Sequence, residues 1–410
     1  MALRKIFIDS QSYPLLAKGG LEEQQYEQRC LLEAEAEDLV VLSMPPEDVY
    51  LDYLRHGLGW ELPTIKTTYA SGWNLAEKVL ADAETFALLN RQIATWKKQG
   101  HAIRLESYAV TPLEHHLAKK LGVPLYGFPE SLLGYGTKSG FRKLASAHDL
   151  PVPDGFEYLT TVTDIRKAVT KLAENHDSVL LKQDDGLAGI GILPLLGESI
   201  LSGNSDQTLN DIPIAGNSFV AEAYIPWQFS FSFQIEISSA RTFSQILLEQ
   251  LVHNGKFIGC QYPLENTLRQ GIQERAWELV QILARQRCRG HFNMEGIVSI
   301  DDGSVYFVEL NARKTGVTYP LACAKRLTGG IVPPFLAKHI QLQSVRSTAQ
   351  ALKKLEPILY IRGKQAGVVP YNTGLLPWKQ MEVLCVAPSA QETQTLYKTA
   401  QKLLGAQVPN

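Results

Sequence analysis

The chain has 410 residues, 45% hydrophobic and 20% charged, which is enough for two or three domains with cores of their own. A formal net charge of −2 gives no electrostatic case for nucleic acid or an anionic membrane surface as partner. Five scattered cysteines without CxxC spacing argue for reduced thiols, the N-terminus lacks an apolar signal-peptide core, and no window approaches the ~20 apolar residues of a membrane helix, so a cytoplasmic protein is expected.

Residues 1–130 alternate short apolar runs with helical spacing. Lys5–Ile8, Leu39–Leu42 and Ala102–Leu105 are strand candidates, while Glu22–Glu37, Pro46–His56, Asn74–Gln99 and Pro112–Leu121 carry helical periodicity. That rhythm predicts a Rossmann-like α/β domain with a parallel sheet. No GxGxxG follows a strand, so a dinucleotide role has little support.

From Ser131 the character changes to a glycine-containing turn and a basic amphipathic helix. Its N-terminus, with Lys138 and Arg142 nearby, is favourable for an anion, although a solvated basic helix explains the same residues. Next, the run Val179–Gln183 delivers Lys182 just before a loop holding Gly186, Gly189 and Gly191, after which the strand resumes at Ile192. In a Walker A loop the Lys follows the glycines and opens a helix, so a strand–loop–strand lid is the better expectation here. Glycines would let backbone N–H groups approach phosphate, and Lys182 would add a point charge. A bland hairpin with a flexible tip remains the alternative. The polar stretch Gly197–Asn210 reads as a mobile surface loop. Phe219–Pro226 is an apolar run interrupted by Glu222; Phe229–Ile237 and Arg241–Val252 read as strands, and Ile272–Arg289 as a helix.

Two alternating runs, Phe292–Ile300 and Val305–Arg313, flank Asp301-Asp302-Gly303 and predict a β-hairpin with a three-residue turn. If Ile300 pairs with Ser304, Glu295 falls opposite Glu309. The even-numbered residues, including Ile300, Tyr306 and Val308, would then face the core. The odd face would gather Asn293, Glu295, Glu309, Asn311 and Arg313. Two carboxylates opposed across a ladder, with Cβ atoms roughly 5 Å apart, repel unless a cation sits between them. Carboxylate and amide oxygens suit Mg²⁺ with nucleotide phosphates completing the shell, so a metal–nucleotide site is expected. His148 and His291 are candidates for substrate contact but read more readily as structural. The tail reads as strands at Leu355–Ile361, Val368–Pro370 and Met381–Ala387, closed by a helix over Ala390–Leu404.

Taken in order, Lys138, Lys182 with its glycine loop, Glu222-Ala223-Tyr224-Ile225-Pro226, Glu295 and Glu309-Leu310-Asn311-Ala312-Arg313 resemble the ATP-grasp superfamily. The motifs cover residues 131–325; residues 331–410 fit by general pattern. Leu150-Pro151-Val152-Pro153-Asp154-Gly155 makes the chain look closest to the pheganomycin-type peptide ligases.

The resemblance implies an N-terminal pre-ATP-grasp domain over 1–130 and a two-lobed α+β ATP-grasp domain with antiparallel sheets over 131–410. Its lid lobe would span about 155–225 and its metal and substrate lobe 226–410. It further implies that Lys138 and Lys182 contact ATP phosphates and that Gly186, Gly189 and Gly191 belong to the lid. Glu222, Ala223 and Tyr224 would hold adenine, and Glu295, Glu309 and Asn311 would bind Mg²⁺, as two ions with Mn²⁺ as a substitute. Arg313 would face the reacting phosphoryl group. The implied reaction activates a small-molecule carboxylate as an acyl phosphate for attack by an amine, releasing ADP and phosphate. Homodimers are common in the superfamily. One departure is visible: the linker often continues Ile-Pro-Gly-x-Glu, whereas this chain has Trp227-Gln228-Phe229, which leaves the ribose without its usual carboxylate. A phosphotransferase on the same fold and a catalytically silent nucleotide-binding module are the competing readings.

Overall fold

The structure, a computed structural model, describes residues 2–13, 21–186, 189, 191–214, 216–239, 242–264 and 267–406. The chain divides into two compact units: unit 1 is Met1–Glu130, Ile258–Pro263 and Arg313–Asn410, and unit 2 is Ser131–Phe257 and Leu264–Ala312. Residues 313–410, grouped with 131–312 by the sequence reading, thus cluster with the N-terminal segment.

Unit 1 opens with β1 (Leu3–Ile8), β2 (Leu39–Leu42), β3 (Thr64–Thr67) and β4 (Ala102–Glu106), an all-parallel sheet in the order β3-β2-β1-β4. Strand β3 escapes the sequence reading because Thr-Ile-Lys-Thr is a short, half-exposed edge with no apolar run. Ile6, Ile8, Val41, Leu105 and the helix residues Leu89, Ile93 and Leu117 form its core. The helix expected over Asn74–Gln99 is two, Leu75–Ala81 and Ala83–Lys98. Asp82 breaks it: its backbone is extended and its carboxylate accepts from Glu84 N and Thr85 N, capping the second helix. The helix expected over Glu22–Glu37 shortens to Leu21–Gln25 followed by a 3₁₀ segment, Tyr26–Leu32.

Unit 2 begins with β5 (Gly155–Leu159), β6 (Ser178–Gln183), β7 (Ile192–Leu196) and β8 (Phe219–Ala223), antiparallel in the order β5-β8-β6-β7. The segment expected as a mobile loop holds two short helices, Gly197–Leu201 and Asp206–Asn210. Ile200 and Leu209 anchor them by packing into the core of this small sheet. Long antiparallel strands β9 (Trp227–Ser239) and β10 (Thr242–His253) follow; Arg241, where the sequence reading starts its strand, lies outside the described residues. Strand β11 (Lys256–Tyr262) belongs to unit 1 from Ile258 onward. The chain returns to unit 2 for β12 (Gly290–Ser299) and β13 (Val305–Asn311), which with β9 and β10 stand in the order β13-β12-β9-β10.

Unit 1 closes with β14 (Phe335–Gln341), β15 (Gly367–Tyr371) and β16 (Gln380–Val386), antiparallel in the order β11-β14-β16-β15, and a helix over Ala390–Leu404. Where a strand was expected over Leu355–Ile361, the chain ends the helix Thr348–Leu355 and passes through a 3₁₀ turn, Glu356–Ile358, with Pro357 at its start. All five cysteines are buried free thiols. Among the described residues no helix is long and apolar enough to cross a membrane.

Candidate functional site: an acidic and amide row in unit 2

Strand alternation separates an apolar face of β9 and β12 from a polar one. Phe231, Phe233, Phe292 and Met294 are fully buried on the first. On the second, Glu295 is paired with Ser232 on one side and Glu309 on the other, and Asn293 with Gln234 and Asn311. Asn293 Nδ2 donates to Ser232 Oγ at 2.8 Å and to Glu295 Oε1 at 2.9 Å. Asn311 Nδ2 donates to the same Glu295 oxygen at 3.2 Å, and Gln234 Nε2 to Ser232 Oγ at 2.8 Å. Asn293 is fully buried, yet its Oδ1 has no hydrogen-bond partner among the described residues. The expected register at Glu295 and Glu309 is therefore present.

The turn that produces it differs from expectation. Ser299, not Ile300, pairs across the turn: its N–H donates to Ser304 O at 2.8 Å, and Gly303, at φ +72°, donates back to Ser299 O at 3.1 Å. That shift of one residue would put Glu309 opposite the core residue Met294. A bulge at Val308 cancels it, since Gly296 pairs with Phe307 while Glu295 pairs with Glu309. Consequently Phe307 is fully buried, Tyr306 and Val308 are half-buried, and Ile300 is 62% exposed, against the expectation that Ile300, Tyr306 and Val308 face the core.

Lys138 begins the helix Lys138–Ser146, and its ammonium lies 2.5 Å from Gly186 O and 3.4 Å from Glu309 Oε1. The structure thus joins the basic helix, the glycine loop and the acidic row. The helix N-terminus itself is already satisfied. Thr137 Oγ1 accepts from Gly140 N, Asp184 Oδ1 from Ser139 N at 2.5 Å, and Asp184 O from Lys138 N, so the anion expected at those amides would have to displace Asp184.

Lys182 leaves β6 buried and ion-paired with Glu222 Oε1. Arg142 Nη1 reaches the other oxygen of Glu222 at 3.3 Å. Glu222 is 3% exposed and held by two cations, while the Ala223 and Tyr224 amides donate to Asp154 O and Ser178 O. Adenine at this linker would therefore meet neither of those N–H groups; the Tyr224 side chain, 41% exposed, is accessible. Strands β6 and β7 form the expected strand–loop–strand hairpin, closed by Gln183 N to Gly191 O at 2.8 Å. Gly189 and Gly191 have φ of +84° and +79°, and a Cβ on Gly189 would collide with Gly255 O. Leu187, Ala188 and Ile190 of this loop lie outside the described residues.

Arg313 falls in unit 1. Its Nη1 donates to Tyr108 Oη at 3.0 Å and to Lys314 O at 2.9 Å. The sequence reading placed Asn293 on this face without assigning it a role, and passed over Ser232 and Gln234. Their signal, polar residues alternating with Phe on β9 and β12, marks a polar face without saying what it faces.

Residues 27–123 match the family described as the pre ATP-grasp domain. No curated protein matches the chain in sequence. Among solved structures, N5-carboxyaminoimidazole synthetase from Staphylococcus aureus, complexed with ADP, superposes with a TM-score of 0.60 at 14% identity, covering 98% of both chains. Biotin carboxylase from Campylobacter jejuni, with β-γ-ATP, gives 0.61 at 12%, covering 98% of this chain and 92% of that one. The biotin carboxylase domain dimer of Hydrogenobacter thermophilus 2-oxoglutarate carboxylase, in complex with MgADP, ADP and bicarbonate, gives 0.58 at 14%, covering 98% and 90%. The chain has the ATP-grasp fold. Within the ATP-grasp fold the acidic row lies on adjacent strands of one sheet, where backbone pairing rather than loop conformation sets the spacing of its carboxylates.

Proposed function

We propose that the chain is an ATP-dependent ligase that joins a carboxylate to an amine with release of ADP and phosphate. The observation that carries this reading is the opposition of Glu295 and Glu309, bordered by Asn311 and by the Oδ1 of buried Asn293, which has no hydrogen-bond partner among the described residues. Such an all-oxygen donor set fits Mg²⁺, which is commonly held through one or two carboxylates together with substrate phosphates. Glu295, Glu309 and Asn311 would hold the ion or two ions, with Mn²⁺ as a substitute. Bound there, Mg²⁺ would screen the repulsion between the substrate carboxylate and ATP.

The chain's own groups supply the rest. Lys138 is a cation 3.4 Å from Glu309 and within reach of the glycine loop, so it is assigned to the phosphates. Lys182 is assigned the same role, which requires it to share its charge with Glu222. Gly186, Gly189 and Gly191 let the β6–β7 hairpin close over the triphosphate and exclude water from an acyl phosphate. Arg313 keeps the role the resemblance gives it, contact with the reacting phosphoryl group. Two displacements follow: a carboxylate oxygen attacks the γ-phosphorus and ADP leaves, then the amine nitrogen attacks the carbonyl, phosphate leaves, and the proton lost from nitrogen passes to phosphate or solvent.

The Leu150–Gly155 exit supports the narrower placement near pheganomycin-type peptide ligases, with amino acids or small peptides as substrates in the cytoplasm. The MgADP-bound dimer among the neighbours supports a homodimer, to be checked by light scattering. The deciding experiment incubates the chain with ATP, Mg²⁺ and a panel of amino acids and dipeptides, quantifying ADP, phosphate and coupled product. Equal amounts of the three are expected. A phosphorylated product without free phosphate would replace ligation by phosphoryl transfer, and nucleotide binding without turnover of any panel member would favour the silent module.

A further inference from the structure

In unit 1, β1 lies between β2 and β4, so the chain leaves β1 toward one side and β4 returns on the other. Such a switch point opens a crevice at the carboxyl ends of the two strands. Asp9 and Ser10 follow β1 there, and Ser107 and Tyr108 follow β4. Tyr108 is one wall of an aromatic slot around Arg29. The Arg29 guanidinium carbon lies 4.3 Å from the Tyr108 ring centre, 4.5 Å from that of Tyr319 and 5.4 Å from that of Tyr26.

The neighbouring cation, Lys314, is matched: its ammonium lies 2.7 Å from Glu33, 3.3 Å from Glu106 and 4.0 Å from Asp9. Arg29 is not. It is 8% exposed, and neither Nε nor Nη2 has a hydrogen-bond partner among the described residues. Burial strips these donors of water, and a guanidinium cannot discharge itself by losing a proton. Nε–H and Nη2–H are the two parallel donors on one edge of the guanidinium, the fork that a carboxylate occupies with both oxygens. Ser107, 2% exposed, likewise has an Oγ without a partner among the described residues.

We propose that Arg29 is the anchor of a substrate carboxylate, received on the Nε and Nη2 edge at the carboxyl end of β1 and β4. Charge favours a carboxylate over phosphate. Arg29, Arg313 and Lys314 stand against Asp9, Glu33, Glu106 and Glu382, the last of which also acts on Arg29, and Arg313 shares the Tyr108 ring at 5.2 Å. Among these acids a monoanion is repelled less than a phosphate dianion. Tyr319 Oη donates to one oxygen of Asp9. The inference deepens the ligase reading by locating a carboxylate, but its test uses neither nucleotide nor metal, so either can fail alone.

The test is calorimetric titration of the full chain with the twenty L-amino acids and succinate, each set against its amide, and with inorganic phosphate as a separate arm. At least one carboxylate should bind while its amide does not. Arg29→Gln should weaken that binding by at least about tenfold, and Arg29→Lys likewise, because an ammonium offers no parallel fork. Should the variants fail to fold, the wild-type Arg29 Nε–H proton resonance decides: it should move downfield with the carboxylate and stay in place with the amide. Binding retained in folded Arg29→Gln, an unmoved Nε–H resonance, response to phosphate alone, or no binding by any carboxylate would each overturn the proposal.

Discussion

Glu295 and Glu309 face each other across β12 and β13 because Val308 is an extra residue between Phe307 and Glu309. Strand β12 is fixed by its pairing with β9, which puts Glu295 beside Ser232 on the polar face. The turn alone would set Glu309 against Met294, inside the core. The bulge thus moves one carboxylate from a buried apolar face to the site. Glu309→Gln should retain the fold and lower ligase turnover by about 100-fold or more, since one of two opposed anions is lost from the row. The measurement is ADP release alongside a urea midpoint; full activity in that variant would remove the metal-site argument.

Gly296 is the other half of this arrangement. A Cβ there would run into the Phe231 ring and Tyr306 O, and Phe231 is locked edge-on against Phe307 at 5.4 Å. Gly296→Ala is expected to destabilise unit 2 by about 2 kcal/mol through overpacking opposite the bulge. Chemical denaturation monitored by fluorescence would read this, and an unchanged midpoint would show that the strands spread without cost.

The Glu222 carboxylate holds Lys182 and Arg142 in a buried triad. Glu222→Gln leaves buried Lys182 without its counter-charge and Arg142 with Glu157 alone, at 3.7 Å, and should cost about 3–5 kcal/mol. In the double variant with Lys182→Met, one of those cations is gone, so the combined loss should be smaller than the sum of the single losses. A double-mutant cycle in urea measures the coupling; strict additivity would mean that the pair is not energetically linked.

In unit 1, Glu27 accepts from Ser43 N at 2.6 Å and Ser43 Oγ at 2.8 Å. Burial pushes its carboxyl up to about 7 from 4.5, with the two Ser43 bonds pulling partly back. The native state therefore binds a proton that the unfolded chain has already lost in this window. The stability this proton contributes is complete below about 4.5 and is lost as pH rises through about 7. Glu27→Gln removes that slope, so its stability relative to wild type should rise by about 3 kcal/mol between pH 4.5 and 8. A difference that is flat with pH would show that Glu27 ionises normally.

Local chemistry is what the sequence by itself determined. Strand and helix periodicities located β2 and the closing helix over Ala390–Leu404 at their observed ends. The order of Lys138, Lys182, the glycine loop, Glu295 and Glu309 pointed to the ATP-grasp fold, and parity placed the two glutamates opposite each other. These features are legible because each depends on neighbours along the chain or across one turn. Tertiary structure decided the remainder. The compensating bulge at Val308 is invisible to alternation, because two register errors of one residue cancel. Asp82 reads as helical until Thr68, just after β3, donates its Oγ1 to the carboxylate at 2.8 Å. Glu222 reads as free for a ligand until Lys182 and Arg142 close on it, and Arg29, unremarked in the helical run Glu22–Glu37, is buried between Tyr108 and Tyr319, remote in sequence. A charge's partners and its desolvation are set by residues far along the chain, and only the folded chain brings them together.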